Sequence, residues 1–164
     1  AGLRFLDLRH NALSPHDLSV LCAGLQSATP GLDTLQLQDN ALTGDGAAAE
    51  VWRCLGRFSQ ARIVDVSGNR MYSNGTVGKQ EMESALTNMT KLETLVLQGN
   101  QMPAEAVTDI INITERLRDE ESMDEVLTRL IFMSLRGPKP DPRDSITPDD
   151  IDTFQSTCPE VLFA

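Results

Sequence analysis

The chain has 164 residues and a mass of 18.0 kDa, with 40% apolar and 23% charged residues and a formal net charge of −10. These values describe one globular domain with room for a core, and they exclude low-complexity, collagen-like and disulfide-scaffold classes. With 21 leucines against 7 aromatic residues, the core must be aliphatic; no apolar run reaches the roughly 18 residues of a membrane span, so none is expected.

The acidic excess is uneven. Residues 1–82 carry a net charge of −1 and residues 83–164 carry −9. Such a chain repels a phosphate backbone, so no direct contact with nucleic acid is expected. The opening AGLRFLDLRHN carries Arg4 and Asp7 and does not read as a signal peptide. Cys22, Cys54 and Cys158 share no CxxC spacing and sit among apolar residues, so they are expected as buried thiols in a reducing compartment.

Along the chain, one pattern returns. LRFLDLRHNAL spans 3–13, LDTLQLQDNAL 32–42, ARIVDVSGNRM 61–71 and LETLVLQGNQM 92–102. All fit L-x-x-L-x-L-x-x-N-x-L, with Asn11, Asn40, Asn69 and Asn100 spaced by 29, 29 and 31 residues. Two degenerate copies follow, LIFMSLRGPKP from Leu130 and CPEVLFA from Cys158. The alternating apolar places predict a short strand with one face in the core. A helix between successive strands makes the strands parallel. The Asn side chain is placed to bond backbone where each strand turns away.

Helix signals fall between the strands. Ser14-Pro15-His16-Asp17 offers an N-cap Ser, Pro at the first helical position and an acid at the third. Leu18, Leu21 and Leu25 then recur at helical spacing. Thr43 stands where Ser14 stands one copy later, and the helix after it, with Val51 and Leu55, is expected to hold Trp52 part-buried in the outer layer. After Asn69, MYSNGTVGKQ predicts a loop that delays the next helix to about Lys79. A helix is expected from about Ala104 to Arg118, then an acidic bend and a second helical piece before Leu130. RGPKPDPRDSITPDD, with four prolines, predicts an exposed loop ending at a cap on Thr147.

This pattern resembles the leucine-rich repeats, and its 28–29-residue period is similar to the ribonuclease-inhibitor-like subclass. The resemblance implies an α/β leucine-rich repeat solenoid: a right-handed β-α superhelix with a curved parallel sheet inside and helices outside. A single domain then covers 1–164 with five to six repeats. They lie near 3–31, 32–60, 61–91, 92–129 with the acidic insertion, and 130–157, which is degenerate; 158–164 is a truncated strand. Residue 3 already begins a strand and no polar capping unit is seen, so the chain is expected to be a fragment of a longer protein.

Catalytic and metal constellations are not found. His10 and His16 read as solvated surface residues. Gly75-Thr76-Val77-Gly78-Lys79 fails the phosphate-loop pattern, because Ser73 holds the first Gly place and Gln80 the Ser/Thr place. Asp141, Asp144, Asp149, Asp150 and Asp152 lack the alternation of a calcium loop. No enzyme activity, cofactor or metal is therefore expected.

Binding is expected on the strand face. Its third places are Phe5, Thr34, Ile63, Thr94, Phe132 and Glu160. Its fifth places are Asp7, Gln36, Asp65, Val96, Ser134 and Leu162, and its seventh places Arg9, Gln38, Ser67, Gln98 and Arg136. The expected function is a noncatalytic protein–protein interaction scaffold in the cytoplasm, part of a larger regulatory protein or a subunit of an assembly. The loops at 72–79 and 137–145 are further candidates for contact. One alternative is a GTPase-activator-like regulator using Arg70 and Asn74. Another is a ligand-sensing module of an immune receptor or surface protein, secreted or displayed. The sequons at Asn74, Asn88 and Asn112 point that way.

Overall fold

The computed structural model describes residues 2–28, 30–73, 77–119, 129–133 and 161–163. Strands and helices alternate. They are β1 (Phe5–Asp7), α1 (Pro15–Ala28), β2 (Thr34–Gln36), α2 (Ala47–Leu55), β3 (Ile63–Asp65), α3 (Lys79–Asn88), β4 (Thr94–Val96), α4 (Ala104–Asp119), β5 (Arg129–Met133) and β6 (Val161–Phe163). The strands lie side by side in sequence order, and every neighbouring pair is parallel. The fold is therefore α/β, a parallel sheet built from β-α units.

Alternation along each strand divides the residues. Leu35, Leu37, Val64, Val66, Leu95 and Leu97 are buried and share one core with Leu18 of α1, Val51 and Leu55 of α2, Met82 of α3 and Ile110 of α4. The intervening residues, among them Phe5, Asp7, Ile63 and Asp65, lie on the other face. Register carries this division from strand to strand: Phe5 pairs with Thr34, Thr34 with Ile63, and Ile63 with Thr94. Helices α2 and α3 approach closely at Gly56, where a Cβ would stand 2.9 Å from the Ala85 Cα.

Asparagine side chains join the turns that follow the strands. Asn69 donates from Nδ2 to Leu37 O at 2.9 Å and Val66 O at 2.8 Å, and its Oδ1 accepts from Asn40 N at 3.0 Å. Asn40 does the same one turn earlier, donating to Leu8 O and Leu37 O and accepting from Asn11 N and Leu13 N. Asn100 does so one turn later, on Val66 O, Leu97 O and Met71 N. Each amide thus satisfies backbone groups of its own turn and of a neighbouring one. Just before each Asn the chain is left-handed, at His10, Asp39, Gly68 and Gly99. Glycine suits this conformation at Gly68 and Gly99, while His10 and Asp39 adopt it with a side chain.

Several expectations hold. Ser14 caps α1 as a reciprocal box: Asp17 N donates to Ser14 Oγ at 3.2 Å, and Ser14 N donates to Asp17 Oδ2 at 2.9 Å. Helix α3 begins at Lys79 and α4 covers 104–119. Others need correction. Thr43 does not cap α2; the helix starts at Ala47 behind Gly46 in the left-handed region, and Thr43 Oγ1 hydrogen-bonds Ser73 Oγ at 2.8 Å. The Gly44-Asp45-Gly46 turn displaces the start. Trp52 is not part-buried but fully enclosed, because Tyr72, carried by the long loop, covers it and accepts the indole N–H at 2.8 Å. Cys22 and Cys54 are buried as expected, but they form a disulfide between α1 and α2, with Cα atoms 5.8 Å apart. They meet because they occupy facing positions on adjacent helices. The acidic bend past Asp119, the Pro-rich loop, Thr147 and Cys158 lie outside the described residues.

Substituting Asn69 by Ala leaves Asn40 N without its partner and takes one of two asparagine donors from Leu37 O and from Val66 O, and should cost on the order of 3 kcal/mol in urea unfolding. Asn11→Ala, at an exposed residue whose side chain donates to Arg9 O at 3.0 Å and whose backbone bond to Asn40 survives the change, should cost under about 1 kcal/mol.

Tyr72, the only tyrosine, is held far above its ordinary titration range by burial, opposed by the hydrogen bond from Trp52. Its contribution to stability is full below the unfolded value of about 10 and is lost as pH rises from there through the raised folded value. Tyrosinate absorbance should therefore stay absent past pH ~10 while the fold persists, and develop together with a change in Trp52 emission on unfolding.

Candidate functional site

The outward rows of the sheet are set by register and can be followed residue by residue. In the first row, Phe5 is 53% and Ile63 38% exposed, Thr94 is half-buried, but Thr34 is buried. Thr34 is therefore withdrawn from the surface, its hydroxyl turned to Asp33 Oδ2 at 3.3 Å. In the second row, Asp7 is exposed, and Gln36, Asp65 and Val96 are half-buried. In the third, Arg9 is exposed, with Gln38, Ser67 and Gln98 half-buried. The structure thus brings Phe5, Asp7, Arg9, Gln36, Gln38, Ile63, Asp65, Thr94, Val96 and Gln98 to one face.

The fifth strand departs from the expected register. The template sets Phe132 beside Thr94; the sheet pairs Thr94 with Arg129, Leu95 with Leu130 and Val96 with Ile131. Leu130 thus pairs with Leu95 rather than with Leu92, a register three residues from the one the template sets, and the side chains of residues 129–133, Phe132 among them, lie outside what the structure describes. The sixth strand is offset as well, with Leu130 opposite Val161. Ser134, Arg136 and Glu160 lie outside the described residues.

Polar chemistry on this face is organised around two carboxylates. Asp7 accepts from Arg9 N at 3.1 Å, Arg9 Nε at 2.9 Å and Arg9 Nη2 at 2.6 Å. These bonds, led by the side-chain pair, hold its carboxyl down to about 2. Asp65 accepts on Oδ1 from Ser67 N at 2.9 Å and Ser67 Oγ at 2.7 Å, and on Oδ2 from Gln38 Nε2 at 2.6 Å. Gln38 is a residue whose detailed role sequence reasoning missed: only the register shows that its amide reaches across to the neighbouring strand.

Elsewhere several charges are paired. At the strand starts, Arg62 holds Glu93 through two bonds, at 2.7 and 2.9 Å, with Asp33 at 3.9 Å. A shallow cleft there is lined by Arg4, Asp33, Arg62 and Lys91. On the helices, Arg53 pairs with Glu81 at 3.0 Å, Arg116 with Glu83 at 2.6 Å and Lys79 with Asp109 at 2.5 Å. Each of those three pairs ties one helix to the next. The cleft between α2 and α3 contains Arg53, Arg57, Glu81 and Asn88.

The remaining sequence candidates are scattered. His10 is exposed, with Nδ1 3.6 Å from Asp39 Oδ2, and His16 is exposed in the first turn of α1. Arg70 is exposed in a left-handed turn, while Asn74 and the glycine loop through Thr76 fall outside the described residues. Of the sequons, Asn88 is exposed at the end of α3; Asn112 is exposed on α4 but its Thr114 is buried and donates to Ile110 O at 2.8 Å. Among the described residues, no group of three or more His, Cys, Asp or Glu is placed to hold a metal ion, and no helix is long and apolar enough to cross a membrane. Compared with known proteins, the chain matches no family model and no curated protein.

Replacing Arg9 by Ala removes the guanidinium, the largest cause of the lowered Asp7 value, but keeps the backbone N–H of residue 9, so the carboxyl should rise toward its ordinary range without fully reaching it in an NMR pH titration. In the intact chain the Asp7–Arg9 pair is complete above that range and is lost as pH falls through about 2.

Proposed function

We propose that this chain is a leucine-rich repeat solenoid of the ribonuclease-inhibitor-like type and acts as a noncatalytic protein-docking scaffold. The partner binds the strand face, which is the concave side of such a solenoid. One contrast carries this reading. Three ion pairs tie charges across neighbouring helices, and the exposed large apolar residue on the helix side among the described residues is Val20 of α1 alone. The strand face instead presents Phe5 and Ile63 to solvent, and leaves the amides of Gln36 and Gln98 without a side-chain hydrogen bond among the described residues. Exposed apolar anchors beside amides with unspent bonding capacity are what a protein partner uses. Parallel strands about 4.8 Å apart make each row a continuous stripe, so an extended partner meets several rows at once. A subunit role in a larger assembly or regulatory protein fits the same surface.

A second reading has one specific observation behind it. The Cys22–Cys54 disulfide favours an oxidising compartment over the cytoplasm, and with it a secreted or surface-displayed ligand-sensing module. Alkylation of native material with and without prior reduction separates the two. Blocked Cys22 and Cys54 place the chain on the oxidising route; two alkylatable thiols return it to the cytoplasmic one.

The docking reading is tested by exchanging both anchors for Ser, in Phe5→Ser with Ile63→Ser. Both side chains are partly exposed, so stability should change by under about 1 kcal/mol. Recovery of stoichiometric partners in native affinity purification, identified by mass spectrometry, should drop at least tenfold, in the range of hot-spot losses. Unchanged recovery, with loss instead on substituting exposed Arg57 or Glu105 of the helix side, rejects the strand face as the docking surface.

A further inference from the structure

The outward face contains the same carboxylate position twice, once with a cation and once without. In β1, Asp7 is followed two residues on by Arg9, whose guanidinium grips it through Nε and Nη2. In β3, Asp65 occupies the matching row, but Ser67 stands where Arg9 stands. Ser67 supplies a backbone N–H and a hydroxyl to Oδ1 and no charge. Among the described residues no cation lies within ion-pair distance of Asp65. Arg9 is the cation that feels its field, and Arg9 is committed to Asp7.

A second, independent observation falls on the same spot. Gln38 donates from Nε2 to Asp65 Oδ2 at 2.6 Å, while its Oε1 is shielded from water and accepts nothing. A buried acceptor without a donor is under-satisfied. The terminal amide torsion of Gln is broad and roughly two-fold, so the group can turn over at small cost. It would then face Asp65 with an oxygen, which is tolerable only with donors between the two. A planar guanidinium brings them as adjacent N–H groups, one for Asp65 Oδ2 and one for Gln38 Oε1. Around this point Ile63 lies two residues before Asp65 and is exposed, and Val96 is beside it by register. Both offer apolar surface for an aliphatic stem.

We propose that Asp65 and Gln38 form a subsite for an arginine side chain of a protein partner, its stem lying across Ile63 and Val96. The inference rests on the strand face being the docking surface and names the chemistry of what docks there. The chain's formal net charge of −10 adds long-range attraction for a basic segment.

The test pans a random peptide library displayed on phage against the whole chain, then measures the enriched peptides in solution with wild type, Asp65→Asn, Gln38→Ala and the Phe5/Ile63 serine variant. The expected result is a shared arginine among enriched peptides. Replacing it by Gln, or Asp65 by Asn, should weaken binding about tenfold or more, with the double change no worse than either alone, as for a desolvated charge pair. Gln38→Ala should weaken it less. Trp52 emission verifies that each variant is folded. Peptides that lose binding to the serine variant but are indifferent to Asp65→Asn overturn the arginine subsite and leave the docking surface standing. Peptides indifferent to every strand-face substitution, or no enrichment at all, overturn both.

Discussion

The buried asparagine amide is the constraint from which the rest follows. A strand of three residues has few ladder bonds of its own, and the turn after it exposes backbone groups that the core cannot satisfy. Asn40, Asn69 and Asn100 each answer that need in two turns at once. Because the carboxamide has both donors and an acceptor, one side chain closes its own turn through Nδ2 and fixes an adjoining turn through Oδ1. A carboxylate could not donate, and a leucine could do neither. The amides therefore set the registry of neighbouring units, and that registry decides which residues share an outward row. Asp65 comes to lie beside Gln36 and Val96 for this reason, although 29 and 31 residues separate them along the chain.

Registry has an energetic side as well. Once the turns are locked, the leucines of successive strands stack at a fixed spacing, and the helices that return the chain must pack behind them. Close packing at Gly56 against Ala85 and the enclosure of Trp52 under Tyr72 belong to this second layer. The ion pairs between helices add little by themselves, since exposed pairs are worth roughly 0–1 kcal/mol. Their importance is in specificity: each fixes one helix against the next, Arg53 with Glu81, Lys79 with Asp109 and Arg116 with Glu83.

Much of this was legible in the residues. The four copies of L-x-x-L-x-L-x-x-N-x-L predict a short strand in each copy with its alternating apolar places inward, and the structure sets those strands at 5–7, 34–36, 63–65 and 94–96. The Ser14–Asp17 box and the delayed start at Lys79 follow from local chemistry. The misses have physical causes. Thr43 has the right side chain for a cap, but two glycines beside Asp45 let the chain turn further before the helix begins. In LIFMSL, apolar residues occupy adjacent places, so the pattern cannot distinguish registers three residues apart, and pairing with β4 chooses a different one. The meeting of Cys22 with Cys54, 32 residues apart, depends on how two helices are rotated against each other, which no local spacing encodes. The same holds for Gln38 reaching Asp65: glutamine at a solvent-side strand position reads as neutral until the neighbouring strand is in place.

Of the outward residues, those with rigid surroundings matter most to a docking surface. Val96 and Asp65 stand on short strands whose inward neighbours Leu95, Leu97, Val64 and Val66 are buried, so their backbone cannot shift without disturbing the core. A partner meeting them orders little on this side of the interface, and less conformational entropy opposes binding. Phe5 differs. It lies on the first strand, where Leu6 and Leu8 are only partly buried and the Asn11 side chain donates within its own turn, to Arg9 O. At Ile63 and Asp65 the asparagine bonds run to turns on both sides, joining the Asn40 turn to the Asn69 turn and the Asn69 turn to the Asn100 turn, so the strand-face residues between them are held in place before any proposed partner arrives.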